Sequence, residues 1–450
     1  MKRIYSHIIY TCLTIILLAG CKSDYPYIEY EGNPGKVEFD NIESLIPIMT
    51  TMNSPLYENH TRGTGIFNNE KDKDFYIYAF YTPKGKDGVP QSIDYSMNPR
   101  EEFHCLVDDP TGHGLKARLS EISSALEWVD TMVYYNNTYP DYRYRFFAYH
   151  VDDAVDMEKM QPNRHLDYVS YDIQIDGTQD LMCSCAQPTP EQLAKIKSLA
   201  SPSNKDFINN LEKLTYSTQS AHRDLIPLFE TKHQLVYIQF FLKADSTTFI
   251  NSLGDEEKRL DPGVDSVLVE NISIKNVPYT GEFIVAAEDT SRLGIYYGNK
   301  KKDIYLPVKV KTDDTGKIIT DTTGKRITVS RDEEGKVMAG NSYGLNPRLK
   351  PKVEEQELGM GFLLPEAERY YVLLKCKQLK TDKNGDLKTL NYSQQFELVL
   401  PRDKNGNTCK FLSGHKYAVT IRIYGIRDIR LELEDLAWLD GGEIIIDDEN

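Results

Sequence analysis

Asp74-Phe75-Tyr76-Ile77-Tyr78-Ala79-Phe80 is the stretch that decides the fold. Aromatic and β-branched residues crowd it, and no turn residue interrupts it, so it reads as a strand. Arg143 to Val151 (RYRFFAYHV) repeats the pattern. Two such runs, each long enough to be buried on both faces, point to a β-dominated core.

Working outward, the remaining runs are short and separated by close-spaced turn signals. Leu166 to Ile175 is strand-like. A second β-rich block begins at Leu228 with His233 to Leu242 (HQLVYIQFFL), Val267 to Ile274 (VLVENISI) and Phe283 to Ala286. Residues 305–339 hold Asp-x-x-Gly-Lys units at Asp313, Asp321 and Asp332, which read as turns of a small meander. Arg369 to Lys377 and Gln394 to Leu400 are joined by a turn at Asn384-Gly385, with the next turn at Asn405-Gly406. Tyr417 to Tyr424, Ile429 to Leu433 and Glu443 to Ile446 complete the chain.

Helical signals are few. Leu115, Leu119, Ile122, Leu126 and Val129 fall at helical spacing and predict one amphipathic helix. Thr189-Pro190-Glu191-Gln192 reads as a capping box with proline at the first helical position, opening a helix that ends near Ala200. Phe207, Leu211 and Leu214 suggest a second, short one. The expected class is therefore mainly β: two antiparallel β-sandwich domains, 63–227 and 228–450, with a few short helices in the first.

The N-terminus reads as an address. Lys2 and Arg3 precede an apolar run from Ile8 to Leu18, which is shorter than the ~20 residues a membrane span needs. Leu18-Ala19-Gly20 then leads into Cys21, the layout of a lipoprotein signal peptide over 1–20 with Cys21 as the lipidated residue. Residues 21–62 read as a leader. Its segment from Ile42 to Met52 could add a strand to a sheet but has no partner within itself. Thr61-Arg62-Gly63-Thr64-Gly65 is a basic site among small residues, either a loop or a point of cleavage between Arg62 and Gly63.

The net charge of −15 argues against nucleic acid and against a basic membrane-binding face. Of 7 cysteines, Cys12 and Cys21 belong to the signal region, leaving the odd set Cys105, Cys183, Cys185, Cys376 and Cys409, which is no disulfide framework. Cys183-x-Cys185 puts two thiols on one face of a strand and lacks the partners of a metal site. No HExxH, GxSxG, P-loop or GxGxxG motif occurs, so no enzyme, cofactor or metal is expected. His104 beside Cys105, and His150 beside Asp152 and Asp153, are the suggestive neighbours, and both read first as ordinary strand-end histidines. Asp382-x-Asn384-x-Asp386 begins like a calcium loop but has its glycine too early and Ser393 where a bidentate Glu is needed.

Taken in order, these pieces resemble the fimbrillin-like lipoproteins of Bacteroidales, the subunits of type V pili. The resemblance rests on the lipobox at Cys21, on Thr61-Arg62-Gly63-Thr64 ahead of Asp74 to Phe80, and on the 144–149 run. His233-Gln-Leu-Val, Asn271-Ile-Ser-Ile and Tyr279-Thr-Gly-Glu-Phe283 carry it through the second block, and Phe411 to Tyr417 and Trp438 to Gly442 close it. It implies that both sandwiches are transthyretin-like and that the precursor reaches the outer membrane through lipid on Cys21. It implies that an arginine-specific protease cuts after Arg62, opening a groove that a C-terminal strand of another subunit fills by β-augmentation. Ile444, Ile445 and Ile446 are the candidate donor, with Ile429 to Leu433 as a second candidate. Glu443 to Ile446 reads equally as the last strand of its own sheet. The partners implied are other fimbrial subunits, and the place is the cell surface. An anchor or tip subunit is the nearest alternative. A glycan-binding surface lipoprotein ranks next, kept open by 30 tyrosines but weakened by only 2 tryptophans. A surface hydrolase comes last for want of a motif.

Overall fold

The structure is a computed structural model. It describes residues 50–53, 74–83, 89–96, 105–108, 111–119, 125–129, 133–135, 142–151, 157–199, 205–244, 247–250, 256–259, 266–306, 348–349, 356–381, 384–425 and 428–436. All of these lie in one compact unit, 45–450. The expected strand at 443–446, the meander of 305–339 from residue 307 on, and His104, Cys21, Arg62, Gly63, Ile444, Ile445 and Ile446 lie outside the described residues.

The chain opens with β1 (Thr50–Asn53), β2 (Asp74–Thr82), β3 (Cys105–Val107), β4 (Leu115–Leu119), β5 (Ala125–Trp128) and β6 (Arg143–Val151). Then come β7 (Asn163–Arg164), β8 (Tyr168–Gln174) and β9 (Leu181–Cys185). Four short helices follow: α1 (Pro190–Leu199), α2 (Lys205–Asn209), α3 (Leu211–Leu214) and α4 (Thr218–Ala221). Next are β10 (Leu228–Glu230), β11 (Lys232–His233), β12 (Val236–Ala244), β13 (Thr247–Ile250), β14 (Glu256–Arg259) and β15 (Ser266–Pro278). Last are β16 (Thr280–Ala287), β17 (Gly294–Tyr297), β18 (Lys301–Tyr305), β19 (Arg348–Leu349), β20 (Gln356–Leu364), β21 (Arg369–Thr381), β22 (Leu387–Val399), β23 (Lys416–Gly425) and β24 (Asp428–Leu436).

The two aromatic runs are both strands, and they pair with each other, Tyr76 opposite Tyr149 through Thr82 opposite Arg143. Side chains alternate across a strand, so this ladder feeds two cores. Phe75, Ile77 and Ala79 with Tyr144, Phe146 and Ala148 enter one cluster, completed by Leu126, Met182 and Phe229. Tyr78, Phe80, Phe147, Tyr149 and Val151 enter the other, which continues through Val236, Ile272, Phe362 and Ile421.

Among the described residues, nine strands make the first sheet, in the order β10-β1-β5-β4-β2-β6-β9-β11 with β3 on β2. Its two ends are separated by Thr231 alone, and the Gln187 N–H donates to the Leu228 carbonyl at 3.2 Å. The sheet thus rolls back on itself around the first core. The ladder of β8 with β16 joins residues from either side of position 228. Beyond it, β20-β12-β23-β24 and β18-β15-β21-β22 enclose the second core. Apart from β1 with β10 and β12 with β23, the described ladders are antiparallel.

The expected helix over 115–129 is instead the strands β4 and β5. Leu115, Ala117 and Leu119 also fit period two, and their intervening cations fix the choice: Lys116 and Arg118 both reach Asp74 on the neighbouring β2, at 3.0 and 2.6 Å. Propensity yields here to a tertiary ladder. The capping box at Thr189 is present, with the Gln192 N–H donating to Thr189 Oγ1 at 3.2 Å and the Thr189 N–H to Gln192 Oε1 at 3.0 Å. The helical run at 207–214 is broken into α2 and α3. His233 to Leu242 is likewise two strands in two different sheets, β11 and β12.

Candidate functional site

β1 is a stave of the rolled sheet, with a neighbour on each side. Thr50 and Thr51 pair antiparallel with Leu126 and Ala125 on β5. Thr51, Met52 and Asn53 pair parallel with Leu228, Phe229 and Glu230 on β10. The neighbours line the core: Leu126 is 3% exposed and Phe229 fully buried. This strand comes from the Ile42-to-Met52 segment, whose partner the sequence left unnamed. Its partners lie 74 to 76 and more than 170 positions further along, which no local pattern encodes.

The slot is four residues long. Were β1 withdrawn, the ladder groups of Ala125, Leu126 and Leu228 to Glu230 would lose their partners, each at about 1–3 kcal/mol where buried. Phe229 and Leu126 would face water, at about 1.5–3 kcal/mol each. An open slot is therefore a high-energy surface that any complementary extended chain would relieve.

His150 is buried, with Nδ1 2.8 Å from the Asp74 carbonyl and its ring against Phe75. Cys183 and Cys185 share the second core as free thiols, as their spacing implies, and burial pushes the Cys183 thiol up to about 12. Cys376 is buried in the same core, its thiol also pushed up to about 12 by burial, and Cys409 is half-exposed. Asn384 and Gly385 form the β21–β22 turn, with Gly385 at φ +86°. Among the described residues no cluster of three His, Cys, Asp or Glu side chains could hold a metal, and no helix is long and apolar enough to cross a membrane.

An open cleft of about 400 Å³ is lined by Tyr144, Arg145, Cys185, Lys213, Tyr216 and Glu288 among others. Three of its charges are paired with one another. Arg145 donates to the Glu288 carbonyl at 3.0 Å, and Lys213 donates to the Glu288 carboxylate at 2.7 Å. Burial opposes the Arg145 charge, but Tyr95, Cys185 and Glu288 hold its pKa above the ordinary arginine value.

A buried tyrosine cluster fixes the loop ahead of β4. Tyr149 Oη donates to the His113 carbonyl at 2.6 Å and lies 2.7 Å from Tyr171 Oη, which sits 2.9 Å from His113 Nδ1. Tyr78 Oη donates to the Gly112 carbonyl at 2.6 Å. Arg164 then ties Asp108 at 2.6 Å and the Gly112 carbonyl at 2.9 Å. These groups brace β4, and through it β5 and one wall of the slot.

No family model matches the chain, and no curated protein sequence matches it. Solved structures are similar to it at low identity. A fimbrial protein from Bacteroides vulgatus ATCC 8482 is 13% identical, over 87% of this chain and 99% of its own, with a TM-score of 0.40. The fimbrial anchor protein Mfa2 from Porphyromonas gingivalis is 12% identical, over 87% of this chain and 98% of its own, with a TM-score of 0.26.

Proposed function

We propose that the chain is a structural subunit of a surface fimbrium, exported as a lipid-tethered precursor and polymerised by strand exchange at the slot β1 fills. The observation that carries the reading is the position of β1: a strand upstream of Arg62, held inside a sheet between two neighbours. Hydrolysis of the Arg62–Gly63 bond by an arginine-specific protease cuts the covalent link between that strand and the rest of the sheet. β1 can then leave with the leader, 21–62, and with the lipid on Cys21. The domains 63–227 and 228–450, transthyretin-like sandwiches on this reading, go on into the polymer.

The incoming strand must run antiparallel to β5 and parallel to β10. Glu443 to Ile446 has four residues, the length of β1, and three of them are the isoleucines Ile444, Ile445 and Ile446. Exchange restores the ladder bonds and re-covers Phe229, so it runs downhill once the slot is open. Donor and acceptor are different surfaces, so the contact is head-to-tail and builds a filament rather than a closed ring. The role is structural and not catalytic, and adhesion follows from the filament at the outer membrane.

The test is mass spectrometry of surface-extracted protein from strains carrying the natural chain or Arg62→Ala, with gels of unheated samples. The expected result is a mature chain beginning at Gly63 and a ladder of multimers, both lost in Arg62→Ala. A lipidated chain beginning at Cys21 with no ladder overturns the stalk reading in favour of an anchor or a glycan-binding lipoprotein.

A further inference from the structure

A sheet edge presents unpaired backbone donors and acceptors, and proteins blunt such edges with charges, bulges, glycines or brevity. Most of the described edges here are blunted. β24 (DIRLELEDL) carries five charged residues in nine. β20 holds Gly359 and Gly361 at φ +62° and +78°, and its ladder with β12 shifts register between Ile238 and Phe240. β18 has three charged residues in five, while β17 has four residues in all and β7 two.

β22 differs from all of them. It runs thirteen residues (LKTLNYSQQFELV), about 44 Å of edge at strand rise. Its ladder with β21 is continuous from Leu387 to Val399 without a register shift. It has no glycine or proline, and its two charges, Lys388 and Glu397, cancel in a chain of net charge −15. It ends its sheet among the described residues. On its core-side face Tyr392 and Phe396 are only partly covered, and Leu390 is 54% exposed.

We infer that the β22 edge is a self-association surface, on which a second copy of this chain pairs antiparallel about a two-fold axis at Gln394. An antiparallel two-fold pair keeps each residue on its own face, so partners must share parity. With the axis at Gln394, the core-side face pairs Leu390 with Leu398 and Tyr392 with Phe396, apolar against apolar. The outer face pairs Asn391 with Glu397 and Ser393 with Gln395. A two-residue slip moves the axis to Ser393, setting Lys388 against Leu398 and Tyr392 against Gln394, or to Gln395, setting Phe396 against Gln394, so the favoured register is distinct. The edge pairs with itself, and two chains of net charge −15 repel each other, so added salt strengthens the contact. The surface lies apart from the β1 slot. It links chains laterally, where slot exchange links them end to end.

The experiment is sedimentation of the full chain carrying Cys21→Ser, with disulfide trapping in a Cys409→Ser background. The expected result is a species of twice the mass of one chain, reduced to one chain by Gln394→Lys and by Leu390→Lys. The exposed Leu390 keeps the test independent of folding. Gln394→Cys is expected to cross-link to its own copy. Asn391→Cys, set about 20 Å from its copy in this register, is expected not to. Both results are expected unchanged in Arg62→Ala, which separates this surface from the slot. A single-chain mass for the natural edge overturns the proposal, and is what residues 437–450 lying on that edge would give. Cross-linking at 391 but not at 394 overturns it equally.

Discussion

Met52 and Phe229 are register partners in the parallel ladder of β1 with β10, though 177 residues separate them in the chain. Phe229 is fully buried in the rolled sheet's core, so the backbone of the leader strand helps to seal a core that the rest of the chain builds. Thr51 has partners on both sides, Ala125 and Leu228. Proline at 51 removes its N–H from whichever ladder receives it. Thr51→Pro, in a chain held uncut by Arg62→Ala, is expected to lower stability by about 1–3 kcal/mol. Thr51→Val, which keeps the N–H and the β-branch, is expected to change it little. Urea midpoints measure both, and equal midpoints would show that β1 contributes nothing to the seal.

Acid should act on the same sheet through Asp74. Burial alone would raise its pKa, but Arg118 and Lys116 on β4 hold the carboxyl below the usual value. A depressed folded-state pKa contributes stability above the unfolded value of about 3.9, and that stability is lost as pH falls through the folded value. Asp74→Asn is therefore expected to be the less stable protein at pH 7 and to converge with the natural chain at a pH below the lowered value. The pairs are partly exposed, so the gap at pH 7 is small, about 1 kcal/mol or less. Denaturation midpoints at the two pH values read it.

The aromatic strands at 74–80 and 143–151 were legible because their alternation is strong enough to fill two cores at once. The turns at Asn384-Gly385 and Asn405-Gly406 were legible because their glycines sit at φ +86° and +79°. The strands at 115–119 and 125–128 were not, since leucines at spacing four satisfy a helix as well as two strands of period two. What decided between them, Asp74 lying between Lys116 and Arg118, is a contact across forty residues of sequence. The slot was half legible. The sequence marked 42–52 as a strand in want of a sheet, but Leu228 to Glu230, which it assigned to the second β block, is the stave beside it.

Tyr149 should prove more than a packing residue. Its hydroxyl serves the His113 carbonyl and Tyr171 Oη inside a fully buried cluster. Tyr149→Phe keeps the ring and leaves both partners one bond short, an expected cost of about 1–3 kcal/mol. Burial first, then the neighbouring Tyr171 and Tyr78, raise the Tyr149 pKa well above its ordinary value. A raised folded-state value gives stability that is present below about pH 10 and lost as pH rises beyond it. The natural chain is thus expected to lose stability steeply above pH 10, and Tyr149→Phe less steeply. Thermal melts at pH 8 and pH 11 compare the slopes.

Gly361 is expected to tolerate no side chain. Its φ is +78°, and a Cβ there would run into the Tyr237 ring. Left-handed backbone alone costs a non-glycine residue about 1–2 kcal/mol, and displacing Tyr237, which is buried at 4% exposure, adds to it. Gly361→Ala should lower the melting temperature well beyond the effect of Gly385→Ala, where φ is +86° but nothing lies within 4 Å. Equal losses at the two sites would mean that backbone strain alone sets the cost.

The donor can be separated from the slot by mixing chains. Ile445 is the centre of the isoleucine triplet proposed to fill the open slot. Ile445→Asp sets a carboxylate at its middle, and burying an unpaired charge beside Phe229 would cost several kcal/mol. A chain with Ile445→Asp and an intact Arg62 is expected to be cut at Gly63 and to give no ladder, since it can accept but not donate. Added to natural chains it should end filaments, shifting the ladder to shorter rungs as its share rises. If Glu443 to Ile446 is instead the last strand of its own sheet, the same change lowers the melting temperature of the uncut monomer. Unheated gels of mixtures and melts of the Arg62→Ala monomer distinguish the two. Shorter rungs with an unchanged melt is the result that donation requires.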